Sequence, residues 1–282
     1  MGELDSDAVS GVYDELQESH EQMWDQQGHR SLHYGYHDDD HDEPATAVEN
    51  TTRILATLAE IGPDDHVLNI GCEAGAESIW IAANRGASVV GIDVNDGLLD
   101  AAREYAGESG VAESMTFRND DFHELSTVDD DSIDVVWGLE ALCHARDLDT
   151  VLEQIARVLA PGGRLVVGDL FQRPRDLDEG EANRLARVDD GFGVEVTRID
   201  ALETGLDEAG FENVSVRDVT DAVVPSVRRR GITGLVNYPI HRLRGLFGGS
   251  NDRQRALYRA SYDVYKLVGS SALGYYILTA EL

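Results

Sequence analysis

The chain has 282 residues, 42% of them hydrophobic, which suits one large α/β domain with insertions. Its formal net charge of −31 comes from 54 acidic and 23 basic residues, and Lys266 is the only lysine. Such an acidic surface is typical of adaptation to a cytoplasm with molar salt, where the Debye length is about 3 Å and repulsion between the acids is screened. The alternative is a protein that binds cations or basic partners. The negative charge argues against general nucleic-acid binding.

Two cysteines, Cys72 and Cys143, are too few for a disulfide framework, so we expect reduced thiols. No apolar run approaches the roughly 18 residues of a membrane-spanning helix. The first residues, MGELDSDAVS, lack the basic and apolar parts of a signal peptide. We therefore expect a cytoplasmic protein with no transmembrane segment.

Strands and helices alternate along most of the chain. Residues 1–47 are acidic and aromatic, with a helix predicted at 5–24. Strands are predicted at 67–70, 88–93, 115–118, 133–138, 164–169, 214–219 and 275–281. Helices are predicted at 46–61, 77–84, 97–106, 148–159 and 200–209, and Pro161-Gly162-Gly163 predicts a turn before the fifth strand. Repeated β-α units predict a mostly parallel, Rossmann-like sheet of seven strands with helices on both faces.

The first two strands frame a candidate nucleotide site. The apolar strand at 67–70 enters a loop with Gly71 and Gly75, whose glycines permit a tight bend close to a ligand. Asp93 ends the second strand, 22 positions after Gly71, where an acid can accept hydrogen bonds from ribose hydroxyls. A dinucleotide fits poorly, because Glu73 and Ala76 occupy the third and sixth glycine positions of that fingerprint.

Four segments in order resemble the class I S-adenosylmethionine-dependent methyltransferases. They are VLNIGCEAG, MTFRNDDFHEL, IDVVWGLEALCHARD and VLEQIARVLAPGGRLVVGD. The N-terminal WDQQGHRSLHYGY and the C-terminal LDEAGFENVSVRDVT and SSALGYYILTAEL are similar to the subgroup that includes tocopherol, sterol, sarcosine and sugar methyltransferases. Two residues depart from the first motif of the family: Asn69 replaces an aspartate and Glu73 a glycine. The resemblance implies methyl transfer from S-adenosylmethionine to a small-molecule acceptor.

The resemblance also implies which residues hold the donor. Asp121 would meet the adenine amino group, with Asp120 as the alternative in register, and Phe122 would lie beside the ring. Glu73 either approaches the ammonium or sulfonium of the donor or points to solvent, and the solvent-facing interpretation is slightly preferred. The full set of expected donor-binding residues is Tyr34, Asn69, Gly71, Cys72, Glu73, Gly75, Asp93, Val94, Asp120, Asp121, Phe122, Gly138 and Leu139.

Three residues are candidates for the chemistry. His144 follows the fourth strand, where a neutral imidazole could remove a proton from a hydroxyl acceptor or could simply shape the pocket. Glu140 could orient His144 or bind the acceptor, and Asp169 ends the fifth strand within reach of the same edge. The accepting atom, carbon, nitrogen or oxygen, stays open.

Histidines recur at every fourth position of the N-terminal segment, at His29, His33, His37 and His41. A metal site is one interpretation, but Gly35 and the run of aspartates at 38–40 favour a loop. Similarity to the family instead implies a lid over the donor, lined by Tyr13, Trp24 and Tyr34, while a solvated tail is the simpler alternative. We therefore expect no metal.

Basic residues cluster near the C-terminus. Eight arginines and one acid, Asp252, lie between residues 226 and 260. This segment could hold an anionic acceptor, dock on an anionic membrane to collect a prenylated acceptor, or be a cap whose arginines pair with acids. We expect a lid at 1–47 and a methyltransferase domain at 48–282, with cap insertions near 171–197 and 226–258. The alternative functions are a non-catalytic donor-binding protein and a membrane-associated methyltransferase that acts on a prenylated or lipid acceptor. The oligomeric state stays open.

Overall fold

The computed structural model describes Gly11, residues 30–245 and residues 252–282. The helix predicted at 5–24 lies, apart from Gly11, outside the described residues, as do Tyr13, Trp24 and His29. The strands are β1 (His66–Ile70), β2 (Ser88–Asp93), β3 (Met115–Asn119), β4 (Ile133–Leu139), β5 (Leu159–Gln172), β6 (Glu212–Asp218) and β7 (Leu273–Glu281).

All seven strands form one sheet in the order β3-β2-β1-β4-β5-β7-β6. Strands β1 to β5 pair in parallel, and β7 runs antiparallel to both β5 and β6. The mostly parallel, seven-stranded sheet predicted from the sequence is confirmed. Since the strand order reverses at β1, the carboxyl ends of β1 and β4 flank a crevice of the kind in which α/β sheets bind ligands.

Eight helices are found in the described residues. They are α1 (Pro44–Leu58), α2 (Ala76–Arg85), α3 (Asp96–Glu108), α4 (Leu148–Val158), α5 (Glu179–Phe192), α6 (Ile199–Glu208), α7 (Thr220–Gly245) and α8 (Asp252–Gly269). Two 3₁₀ turns lie at Ala112–Ser114 and Leu142–His144.

The apolar run of β1 is explained by burial on both faces of the sheet. Val67 packs with Leu55 of α1 and Ala82 of α2 on one face. Leu68 packs with Leu152 of α4 and Leu206 of α6 on the other. A central parallel strand covered on both sides requires continuous apolar residues rather than alternation, which is the pattern that the sequence carries.

The structure differs from the sequence prediction around the fifth strand. Pro161-Gly162-Gly163 does not form a separate turn but an irregularity inside β5, which begins at Leu159. Leu159 pairs with Ile133 and Arg164 with Val135, so the register shifts across the Pro-Gly-Gly segment, and Gly162 takes a φ of +79°. Leucine at 159 continues the sheet, and only the residues around the glycines bulge out of the pairing.

Both predicted insertions are helical rather than irregular. α5 falls in the stretch 171–197, and α7 and α8 span most of the arginine-rich segment. Gly231 and Gly234 of α7 allow α8 to approach closely, because neither has a side chain. A Cβ at Gly231 would collide with Tyr265, and one at Gly234 with the carbonyl of Tyr258. Across the described ranges, we find no helix long and apolar enough to cross a membrane.

Candidate active site

The crevice at the reversal of strand order is a shallow cleft with about 440 Å³ of space free of protein atoms, part of which is open to solvent. Residues that follow β1, β2, β3 and β4 line it, because the carboxyl ends of parallel strands meet at one edge of the sheet. The lining residues are Gly71, Glu73, Ile92, Asp93, Val94, Asp120, Phe122, Glu140, Ala141 and His144. Six of these ten residues belong to the expected donor-binding set, and Glu140 and His144 were expected to take part in the chemistry. Only Ile92 and Ala141 were not expected at the site.

The loop after β1 bends through two left-handed residues in the cleft wall. Gly71 has a φ of +67° and Glu73 a φ of +47°. A Cβ at Gly71 would lie 3.2 Å from the Cβ of Ala141, so the glycine is required by packing as well as by its conformation. Glu73 takes a conformation that costs an L-residue of its size about 1 kcal/mol or more.

Glu73 is half-buried and lines the cleft, in contrast to the solvent-facing interpretation that was preferred from the sequence. Burial raises the pKa of its carboxyl well above the usual value, and the negative charges of Glu77, Asp93 and Glu140 raise it further. Both effects favour the protonated form of this carboxyl, and a positive charge in the cleft would favour the ionised form.

Asp93 ends β2 and is almost fully buried. Its carboxylate accepts hydrogen bonds from the backbone N–H of Glu73, at 3.0 Å, and of Asn95, at 2.9 Å. Burial raises its pKa to about 6, although these N–H groups oppose the shift. Asp93 is thus mostly ionised at neutral pH and can accept further hydrogen bonds from hydroxyl groups of a ligand.

After β3, the two adjacent aspartates have different partners. Asp120 lines the cleft, and its oxygens accept hydrogen bonds from the backbone and hydroxyl groups of Ser126 and Thr127, at 2.6–3.2 Å. Asp121 pairs with His123 at 2.6 Å and Arg146 at 3.0 Å.

Phe122 directly follows these two aspartates in sequence and contributes to the cleft wall. Its ring stacks on the His123 ring with centroids 4.9 Å apart. The structure therefore places Asp120 and Phe122 at the cleft, whereas the carboxylate of Asp121, the residue first expected to meet an adenine, is engaged by His123 and Arg146 beside it.

Glu140 joins three distant parts of the chain at the cleft. Its Oε1 accepts a hydrogen bond from the backbone N–H of Tyr34, at 2.7 Å, and from the hydroxyl of Tyr275, at 3.0 Å. Its own φ is +51°, which turns the side chain out of the β4 direction. Burial raises its pKa, against the opposing charges of Arg230 and His33.

His144 closes the 3₁₀ turn after β4 and lines the cleft. Its Nδ1 lies 3.2 Å from the carbonyl oxygen of Gly193, an acceptor, so we assign the Nδ1–H tautomer with Nε2 as the basic nitrogen. Burial lowers the pKa of His144 to about 4, so the imidazole is neutral at physiological pH.

Asp169 supports the His144 turn from below rather than lining the cleft. Its carboxylate accepts hydrogen bonds from the backbone N–H of Cys143, at 3.1 Å, and of Leu170, at 2.7 Å. Burial raises its pKa to about 7, and the charge of Glu140 contributes in the same direction. Asp169 therefore holds the segment that carries His144, and its side chain is not among those at the cleft surface.

The described part of the N-terminal segment is anchored by buried charges. Nε2 of His33 lies 3.0 Å from Oε1 of Glu77, and both side chains are almost fully buried. Arg230 donates hydrogen bonds to the carbonyls of Leu32 and His33, and its guanidinium lies 4.4 Å from the centre of the Tyr34 ring. These contacts fix residues 32–34 between α2 and α7.

Several residues expected to touch the donor lie behind the cleft. Asn69 is buried and donates to Ser78 over 2.9 Å, and Cys72 packs in an apolar cluster with Ile79 and Phe117. A Cβ at Gly75 would lie 2.9 Å from Ala102, so that glycine serves packing at the start of α2. Tyr34, Gly138 and Leu139 likewise lie outside the lining set.

The three N-terminal histidines within the described residues, His33, His37 and His41, do not converge. Nδ1 of His37 lies 3.1 Å from the carbonyl of Asp42, Nδ1 of His41 lies 2.7 Å from Asp38, and His33 pairs with Glu77. Within residues 30–245 and 252–282, no group of three or more histidine, cysteine or acidic side chains could hold a metal ion.

The arginine-rich segment splits into residues with different partners. Arg230 binds the N-terminal segment, Arg253 donates to the carbonyl of Asp190 over 3.3 Å, and Arg255 pairs with Asp252. Arg228 and Arg229 are exposed on α7. None of them lines the cleft.

Sequence reasoning did not assign Glu77, Arg230 or Tyr275 to the site. Glu77 sits in the first turn of a helix, where acids are common, and nothing local marks it as the partner of His33. Arg230 was one member of a long basic cluster. Only Tyr275, in a segment singled out by its resemblance to the family, carried a local signal, and its bond to Glu140 spans 135 positions.

Comparison with known proteins identifies the family of this chain. Residues 68–167 match the family model described as a methyltransferase domain. The chain is 37% identical over 218 residues to the 27-O-demethylrifamycin SV methyltransferase of Amycolatopsis mediterranei (strain S699), covering 76% of this chain and 77% of that protein.

Two solved structures share the fold over nearly the whole chain. A geranyl diphosphate methyltransferase in complex with GPP and sinefungin has a TM-score of 0.80 at 15% identity and 98% coverage of both chains. The [4+2]-cyclase SpnF has a TM-score of 0.77 at 21% identity, covering 98% of this chain and 95% of that one. At these identities the two likenesses establish the fold alone.

Proposed function

The chain belongs to the S-adenosylmethionine-dependent methyltransferases that act on small molecules, and we propose that it methylates a hydroxyl group, with His144 as the base. The observation that carries this proposal is a neutral, oriented imidazole in the same cleft as the donor-site acids. The relative named for O-demethylrifamycin supports an oxygen acceptor.

The residues at the cleft fit the donor. Left-handed Gly71 and Glu73 let the loop after β1 curve against a ligand, and a buried acceptor, Asp93, lies where ribose hydroxyls would donate. Phe122 offers an apolar ring for an adenine face, and Asp120 borders the same position. S-adenosylmethionine, when bound, supplies a methyl group already activated by the positive sulfur.

The protein contributes position, water exclusion and a base. A hydroxyl is a weak nucleophile until it loses its proton, so a base within hydrogen-bond reach accelerates the transfer by about 10²–10⁴-fold. Nε2 of His144 would take that proton, while the Nδ1–H bond to Gly193 keeps the ring in place. Asp169 would hold the turn beneath it through Cys143.

The charges of the residues that line the cleft also indicate the charge of the acceptor. Four of its lining residues, Glu73, Asp93, Asp120 and Glu140, are acids, and none of the lining residues in the described ranges is arginine or lysine. A neutral acceptor, including a prenylated one, is therefore favoured over an anionic acceptor, because these lining residues offer no arginine or lysine to pair with a negative charge. Arg230, which could have attracted an anion, is bonded to Leu32 and His33.

The surrounding segments would complete the enclosure. We treat residues 1–47 as a lid and the helices of 171–197 and 226–258 as caps, because Gly193 contacts His144 and Arg230 contacts the N-terminal segment. A cytoplasmic location is supported by Cys72 and Cys143, which are both free thiols.

The test is an acceptor screen with isotopically labelled donor. The purified protein would be incubated with a small-molecule extract and with a panel of macrocyclic, phenolic and prenylated alcohols, each paired with its O-methylated form. Label transfer to an alcohol, lost in His144→Ala while donor affinity is kept, is the expected result. Label on carbon or nitrogen with full activity in His144→Ala would overturn the proposal.

A second candidate is a donor-binding protein that does not transfer the methyl group. Glu73 departs from the family motif at the cleft itself, and the fold is shared with a cyclase. Tight donor binding with no labelled product from any acceptor would favour this alternative. A membrane-associated enzyme acting on a lipid acceptor would instead co-sediment with vesicles at high salt.

A further inference from the structure

We propose that Glu73 is the counter-charge for the cationic methionine end of the donor, so that binding of the charged donor releases a proton from this carboxyl. The neutral thioether product, which lacks the sulfonium charge, would release fewer protons and bind less tightly relative to the donor. The inference rests on the proposed function only in that the cleft binds the donor, since no acceptor is involved.

The first support is the position of Glu73. Its N–H donates to Asp93, the acid expected at the ribose, over 3.0 Å, so Glu73 stands next to the ribose position. Glu140 and His144, where the acceptor would lie, line the same cleft. The sulfur of the donor links its ribose to its methionine chain, so the side chain of Glu73 borders the charged portion of the ligand.

The second support is the backbone of Glu73. The residue holds a φ of +47° at a position where its family has glycine. A glycine would remove that strain without loss of any backbone hydrogen bond. A side chain kept at a cost, at the surface of the ligand cleft, is the pattern expected of a residue that serves binding rather than folding.

The third support is the charge around Glu73. Three acids face it: Asp93 from β2, Glu77 from α2 and Glu140 from the segment after β4. Glu77 is paired with His33 at 3.0 Å, and Arg230 of α7 is the cation that opposes the three acids. Burial and these acids raise the pKa of Glu73 and favour its protonated form, whereas a nearby positive charge would favour its ionised form.

Comparing the binding of donor and product separates the proton release of Glu73 from that of Asp93. Asp93 also has a raised pKa, about 6, and ribose hydroxyls would favour its ionised form. Donor and product both carry the ribose, so Asp93 would release the same fraction of a proton with either ligand. The difference in proton release between S-adenosylmethionine and S-adenosylhomocysteine therefore reports on the sulfonium charge.

The experiment is calorimetric titration of each ligand in two buffers with different ionisation enthalpies, near neutral pH. For the wild type, we expect more protons released with S-adenosylmethionine than with S-adenosylhomocysteine. Glu73→Gln should abolish that difference in proton release. It should weaken the binding of S-adenosylmethionine about tenfold and change the affinity for S-adenosylhomocysteine by about twofold or less. An unchanged affinity ratio and unchanged proton release in Glu73→Gln would overturn the inference.

Glu73→Gly is the second variant, because glycine suits the left-handed backbone and the variant should fold at least as stably as the wild type. It should lose the difference in proton release as Glu73→Gln does. Glu60→Gln is the matched control, since Glu60 is also left-handed, with a φ of +53°, but is exposed. Failure of either ligand to bind the wild type would instead contradict the donor site itself.

Discussion

The backbone N–H of Tyr34 donates a 2.7 Å hydrogen bond to Glu140, which lies 106 positions further along the chain. The same carboxylate oxygen accepts a hydrogen bond from the hydroxyl of Tyr275, so one half-buried side chain attaches both the N-terminal segment and the last strand to the cleft. Since Glu140 also lines that cleft, attachment of the N-terminal segment and shape of the active site are coupled.

Glu140→Ala should therefore affect both stability and donor binding. Loss of two hydrogen bonds to a half-buried carboxylate should lower the free energy of unfolding by about 2–3 kcal/mol, measured by urea denaturation. Tyr275→Phe, which removes only the hydroxyl bond, should cost about 1 kcal/mol. Equal costs for the two variants would mean that the Tyr34 bond contributes nothing.

Asp93→Ala should abolish measurable donor binding. The change removes the acceptor expected for the ribose and leaves the N–H groups of Glu73 and Asn95 without their carboxylate. We expect the donor Kd to rise at least about 100-fold, whereas Asp93→Asn, which keeps one oxygen, should lose less. Calorimetry on folded protein checks this, and wild-type affinity in Asp93→Ala would refute the donor assignment.

The turnover rate should not change with pH around the pKa of an ordinary histidine. Burial lowers the pKa of His144 to about 4, so its basic form is retained down to acidic pH. The single-turnover rate should stay level as pH falls from about 8 to about 5.5, instead of declining near the usual value of about 6.5. A decline near 6.5 that persists in His144→Ala would assign the base to another group.

Asp169→Asn should change how stability depends on pH. The folded pKa of Asp169 is raised to about 7 from 3.8, so its ionised form is disfavoured in the folded protein. The contribution of Asp169 to the free energy of unfolding is therefore most favourable below about pH 4. It decreases by about 1.4 kcal/mol per pH unit as the pH rises toward 7. Relative to the wild type, Asp169→Asn should gain stability between pH 5 and about 7 in urea denaturation. Parallel profiles would contradict this.

Gly75→Ala should be far more destabilising than Gly110→Ala. Both glycines are left-handed, with φ of +78° and +72°, but a Cβ at Gly75 would meet Ala102 at 2.9 Å and Phe117 at 3.0 Å, whereas one at Gly110 would meet nothing within 4 Å. We expect losses of about 3 and about 1 kcal/mol in the free energy of unfolding. Equal losses would mean that the left-handed backbone alone, without the contacts to Ala102 and Phe117, makes glycine necessary at position 75.

Some elements that sequence reasoning missed had a readable signal. α5 begins with a capping box, in which the Asp178 side chain accepts from Glu181 and Glu181 accepts in return, and it ends at a left-handed Gly193. The sequence D-x-x-E followed by a later glycine predicts such a helix. The high polarity of 171–197 concealed it, because few of its residues face the core.

Other features had no local signal. Asp120 and Asp121 are adjacent and chemically identical, and only the positions of Ser126, His123 and Arg146 decide which of the two faces the cleft. The Pro161-Gly162-Gly163 segment has every mark of a free turn, yet the pairing of Leu159 with Ile133 draws it into β5.

The sequence by itself determined the layered α/β fold, the loop after β1 and the acid that ends β2, because apolar periodicity, glycine and strand-end residues act locally along the chain. It also located Glu73, Glu140 and His144 at the carboxyl edge of the sheet. Only the tertiary structure decided that Glu73 faces Glu77, Asp93 and Glu140, and that Glu140 holds Tyr34. Burial and charge–charge interaction depend on distance through space, and residues a hundred positions apart acquire that distance only when the chain folds.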